Sequence, residues 1–202
     1  MCRNCGRRSK IVPESRLGQA YYSTTMNGLL VLLLIAGSLY GQQPRTNWPE
    51  DDSVGLDQVV QTLLSAFDRT DIVALSDTHG DRLDSELRIR LIRHPQFARK
   101  VHFIAVEFGS TAQQTVLDRY IAGGQVPTDQ LTAIWRTTTQ TNGVWDSPVY
   151  AEFFRTVSEV NETLPAELKI RVLAGDPPRD STVDRDVSAI DVLKEEVLSR
   201  HA

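Results

Sequence analysis

Beyond its fifth residue the sequence contains no cysteine. The two it has, Cys2 and Cys5, form a single "CRNC". A structural zinc site takes four ligands, and no second cysteine or histidine pair follows at a suitable spacing, so the pair reads as non-functional. The rest of the chain has neither a disulfide nor a thiol nucleophile. A surplus of positive charge is also missing: 22 Lys and Arg against 26 Asp and Glu give a net charge of −4. There is thus no global electrostatic case for a nucleic-acid partner. Long apolar runs are lacking too. The uncharged stretch "GLLVLLLIAGSLYG", Gly28 to Gly41, has a core of about a dozen residues, short of the ~20 a helix needs to cross a bilayer. There is no convincing internal repeat and no long low-complexity tract.

What the amino-terminal part does have is a pattern of its own. Arg3, Arg7, Arg8, Lys10 and Arg16 stand against Glu14 alone before the apolar core. A basic start, a short apolar core and small residues at its end describe a secretory signal peptide over residues 1–41. The alternative is an uncleaved anchor in the inner membrane, with residues 28–41 in contact with lipid. Met26, just before the core, is a second candidate start. The expected location is outside the cytoplasm, periplasmic or extracellular. Residues 42–53, polar with Pro44 and Pro49, read as a linker, and 54–202 as one domain.

In that domain apolar spacing predicts helices over 54–68 and 83–93, with Pro95 closing the second. Further helices are expected over 111–121, after Pro127, over 148–164 and over 183–200. Short apolar runs at 71–75, 101–108 and 169–175 read as buried strands. Strands alternating with helices predict an α/β fold, a parallel sheet with helices on both faces. About three strands make an incomplete sheet, and the chain stops after a helix where a further strand is due, which suggests a fragment.

Ligands bind beyond the carboxyl ends of the strands in such sheets. The first strand runs into "SDTHGD", holding Asp77 and His79; the second ends in Glu107; the third in Asp176. Acids therefore collect at one sheet edge, with one histidine. If this is a site, Asp77, His79 and Glu107 converge, the first two strands are parallel neighbours, and Asp176 borders the same cleft. Each residue also has a structural reading. Asp77 is a candidate helix cap, although Asp81 or Asp84 is better placed. His79 suits an exposed loop, and Glu107 suits a salt bridge to Arg88, Arg90 or Arg93. Trp135, Trp145 and Tyr150 suit either a pocket or the core.

"SDTHGD" resembles the first metal motif of calcineurin-like metallophosphoesterases, which implies Asp77 and His79 as metal ligands. The Gly-Asp expected after that family's second strand and its Gly-Asn-His are absent from these places. A longer resemblance runs through "IVALSDTHGDRLDSELRIRLIRHPQF", "IAVEFGSTAQQTVLDRYIAGGQVP", "IWRTTTQ", "VWDSPVYAEFFRTVSEVN" and "IRVLAGDPP". Together these resemble an exported bacterial family related to erythromycin esterases and to the haem-uptake ChaN and Tiki proteins. Ser76 and Asp77 stand where its first motif, Gly-Glu-x-His, has Gly and Glu. The resemblance implies His79 as a general base on water, Asp77 and Glu107 as supporting acids, and Arg88 as a site arginine. It also implies a further strand and a Gly-x-x-His motif beyond residue 202.

The chemistry is consistent with that role. Histidine side chains titrate near ~6.5 and serve as bases at neutral pH. A carboxylate beside one fixes its tautomer. The expected function is an exported hydrolase acting on an ester or related bond of a small-molecule substrate, without a cofactor, with Trp145 and Asp176 at the substrate. The alternatives are a haem- or metal-binding envelope protein, or a metal hydrolase in which Asp77, His79 and Glu107 hold a divalent ion.

Overall fold

A computed structural model describes residues 31–35, 52–140 and 143–201. Among these residues four parallel strands form the sheet: β1 (Val31–Ile35), β2 (Ile72–Ser76), β3 (Phe103–Ser110) and β4 (Arg171–Asp176), in the order β2-β1-β3-β4. The α/β class and the parallel sheet are as expected. The strand count is one higher, because Val31–Ile35, expected as part of the export core, pairs with both β2 and β3. An apolar run of that length satisfies either role. The expected adjacency of β2 and β3 is therefore not found. They lie two strand spacings apart, about 10 Å.

The helices are α1 (Asp52–Ala66), α2 (Arg82–Arg93), α3 (Phe97–Lys100), α4 (Gln114–Ile121), α5 (Thr128–Arg136), α6 (Pro148–Thr163) and α7 (Arg185–Glu196). Several ends differ from the spacing-based bounds. Val101 caps α3, so β3 starts two residues later. Residues Thr111–Gln113 form a 3-10 turn ahead of α4. The Asp184 carboxylate accepts from Asp186 N and Val187 N and so sets where α7 begins.

Alternation along the strands divides the core. Ile104, Val106, Phe108, Val172 and Ala174 face a large cluster built from α1, α2, α4, α5 and α6, whose buried members include Leu64, Leu91, Leu117, Ile134, Phe153 and Phe154. Phe103, Ala105 and Leu173 face the opposite side and pack with Val192, Leu193 and Val197 at α7. Helices thus cover both faces, unevenly. β2 is an edge strand, and Ile72 on it is 40% exposed.

Ladder geometry places the second acid. Val106 pairs with Ala174 and Ser110 with Asp176, so β3 spends four residues where β4 spends two. The resulting bulge spans Glu107–Gly109 and re-aims Glu107. Gly109 makes it fit, since a Cβ there would lie 3.1 Å from the Ala174 Cβ.

Candidate functional site

The loop after β2 is tied at several points. Asp81 caps α2, accepting from Leu83 N and Asp84 N, so Asp77 has no capping role. The Asp84 carboxylate accepts from Thr78 N at 2.9 Å. Gly80 has φ +71, a conformation that favours glycine, and its N–H donates to the Tyr150 hydroxyl at 2.9 Å. Tyr150, on α6, donates in turn to Asp77 Oδ2 at 3.1 Å.

Asp77 is buried and accepts three hydrogen bonds. Arg88, one face of α2 away, donates to Oδ1 at 2.5 Å and is itself 4% exposed. Oδ2 takes the Tyr150 hydroxyl and lies 3.2 Å from His79 Nδ1. Burial first, then the Asp77 charge, pushes the Tyr150 hydroxyl well above the ordinary phenol value, so it stays protonated and donates.

His79 is the centre of the arrangement. A carboxylate accepts, so in the neutral ring this contact selects the tautomer with the proton on Nδ1 and the lone pair on Nε2. No hydrogen bond to Nε2 is made among the described residues, and the side chain is 35% exposed. Trp145 fixes the ring from the side, with centroids 4.6 Å apart at 67°. Glu107 Oε1 lies 4.0 Å from Nδ1. Convergence thus survives the loss of strand adjacency, because His79 reaches across the width of β1. The order β2-β1-β3 reverses direction at this point of the sheet, where ligands bind in open parallel sheets.

The salt bridge expected for Glu107 exists with a different partner. Arg88 serves Asp77, Arg90 pairs with Glu86 and Asp57, and Arg93 pairs with Glu159. Glu107 points to the α7 side of the sheet, where Arg185 donates to Oε2 at 3.1 Å. Arg185 also donates to Asp176 Oδ2 at 2.9 Å, and Asp176 Oδ1 takes Thr139 N and its hydroxyl. Asp176 therefore reaches the site through Arg185, its own side chain being wholly buried. Arg185, Thr139 and the hydroxyl of Tyr150 are the participants that sequence reasoning missed.

Trp145 is fully buried, against His79 on one side and lining a cleft on the other. Among the described residues its indole N–H has no hydrogen-bond partner, nor do the hydroxyls of Ser110 and Thr156.

Asp77, His79 and Glu107 each offer a ligand atom within 4.8 Å of one another, the count and mixture a divalent ion uses. Fit is poorer than count. Both Asp77 oxygens already take donors, one of them a buried guanidinium whose charge would oppose a cation. No helix among the described residues is long and apolar enough to cross a membrane. In comparisons with known proteins, no family model, curated protein or solved structure matches the chain.

Proposed function

We propose that the protein is a hydrolase of the erythromycin-esterase-like class, in which His79 activates a water against an ester or related bond. The observation that carries the reading is the buried Asp77 carboxylate 3.2 Å from Nδ1 of a His79 side chain that is itself 35% exposed. In the first step Nε2 takes a proton from water as the water oxygen bonds to the carbonyl carbon. The carbon–oxygen bond to the leaving group then breaks, and the imidazolium returns the proton to the departing alkoxide. Asp77 holds the tautomer and stabilises the imidazolium. Arg88 and Tyr150 hold Asp77, and Glu107, set by Arg185, adds a second negative charge beside the ring. The resemblance to the erythromycin esterase and Tiki–ChaN group supports this assignment of roles. Hydrolysis of 4-nitrophenyl esters by the wild type and by His79→Ala tests it.

The second reading is a metal-dependent hydrolase or a metal- or haem-binding envelope protein. The spacing of the three ligand atoms favours a metal. Its discriminating measurements are elemental analysis and a titration with haemin followed by absorbance.

Export is proposed from the basic start and short apolar core. Val31–Ile35 belong to that core and also to the sheet. A chain cut near Gly41 would have to hold β2 without them.

A further inference from the structure

Of the connections between the described strands, one differs in hand. β2 leads through α2 and α3 to β3, two places along the sheet, and β3 leads through α4, α5 and α6 to β4, one place further in the same direction. α1 joins β1 to β2, one place in the opposite direction. All these helices contribute to the cluster on one face of the sheet. With parallel strands and helices on one face, a step in the opposite direction has the opposite hand. Such crossovers are right-handed in ~98% of cases. The single exception here is β1–α1–β2, which begins in the apolar core of the export pattern.

Register leaves β1 free to go. Val31 is level with both Ile72 and Phe103, Leu32 with Val73 and Ile104, Leu33 with Ala74 and Ala105, and Leu34 with Leu75 and Val106. β2 and β3 are therefore level with each other across β1. Parallel strands in register repeat one alternation of donors and acceptors. Moved sideways by one spacing, ~4.8 Å, β2 meets β3 with the pairing that β1 otherwise makes. It also keeps its faces, with Val73 and Leu75 toward the cluster that holds Ile104 and Val106. Among the described residues β2 has no strand on its other side to hold it back, although α1 and α2 have to travel with it.

We propose that Val31–Ile35 is a removable strand: when it leaves, β2 pairs directly with β3, and while it stays it is a spacer within the candidate site. The crossovers that remain after its departure all have one hand. Asp77 and His79 follow β2, and Glu107 lies on β3, so closure puts the two halves of the site on adjacent strands. With the spacer in place His79 Nδ1 comes no nearer to Glu107 than 4.0 Å. Export is one way of removing the strand, since Val31–Ile35 lie within Gly28–Gly41. The exchange itself is a property of the sheet, holds for an uncut chain, and rests on neither the export nor the hydrolase reading.

The full chain is the test protein, with Cys2→Ser and Cys5→Ser to leave no native thiol. Ala74→Cys with Ala105→Cys reports the closure. The two positions are level, about 10 Å apart across β1 and about 5 Å apart without it. A disulfide spans a Cα separation of at most ~7 Å. Leu33→Pro with Leu34→Pro expels β1, because proline in a central strand removes ladder hydrogen bonds. Under oxidised glutathione the disulfide is expected to form about tenfold faster or more with the prolines than without them, in a chain that still unfolds cooperatively in urea. Equal rates, or a folded proline variant that forms no disulfide, overturn the proposal. The prolines are also introduced without the cysteines. A surviving cooperative transition supports the proposal, and its loss makes β1 integral to the fold and overturns it. The mass of the protein recovered from the periplasm tests export alone, and ester hydrolysis tests the hydrolase alone.

Discussion

Arg88 donates to Asp77 at 2.5 Å, and both side chains are almost completely removed from solvent. Two charges taken from water hold each other only when the geometry is good and the remaining atoms are satisfied. On the Asp77 side they are, since its other oxygen takes Tyr150 and faces His79. The pair is thus both a piece of the core and the support of the candidate base.

Removing one partner leaves the other charge buried and alone. Arg88→Met is expected to cost about 3–5 kcal/mol of stability, read from urea unfolding. The double variant Arg88→Met with Asp77→Leu should recover part of that loss. A cost below about 1 kcal/mol for the single change, the range of an exposed pair, would mean that the pair is solvated.

Tyr150 makes stability depend on pH at the alkaline end. Its folded value is raised above the free phenol's 10.0, by burial first and by Asp77 second. Above pH 10.0 the unfolded chain gives up this proton while the folded chain keeps it. The unfolded state then binds fewer protons, and stability falls as pH rises. The contribution is complete below pH 10.0 and is lost on the way to the folded value. Tyr150→Phe should be less stable at neutral pH by about 1–3 kcal/mol, with two bonded groups left unpaired, yet should have a flatter alkaline limb. Parallel limbs in the two proteins would contradict the assignment.

Metal content separates the two mechanisms. Purified protein is expected to carry little tightly bound zinc or manganese, because a guanidinium already sits on Asp77. Stoichiometric metal that disappears in His79→Ala would reverse the preference and make Asp77, His79 and Glu107 ligands.

Export is read from the mass of the protein. Expressed in a bacterium, the chain is expected in the periplasm without its first ~40 residues. An intact amino terminus in the membrane would favour the anchor. An intact, soluble cytoplasmic chain would contradict both, and would give Val31–Ile35 to the sheet.

The acids of the site were legible because each follows an apolar run short enough to be a strand. Asp77, Glu107 and Asp176 could be placed at one edge without knowing the strand order. That order was not legible. Nothing in "VLLLI" separates an export core from a central strand, since both require only uncharged apolar residues. Tyr150 was hidden for a related reason: it occupies a core position of an amphipathic helix, and only the fold brings its hydroxyl to Asp77, 73 residues away. Arg185 pairs with Glu107 from 78 residues away and from the opposite face of the sheet, after a bulge whose presence leaves no mark in local composition.

The central claim is that His79 is a base held by Asp77. The most direct measurement is the rate of 4-nitrophenyl acetate hydrolysis by the wild type and His79→Ala, with unfolding curves taken on both. His79 is half-exposed, so His79→Ala is expected to stay within about 1 kcal/mol of wild-type stability. Its rate should fall by about 10²- to 10⁴-fold, the contribution of a positioned acid or base. Equal rates from two equally folded proteins would contradict the account.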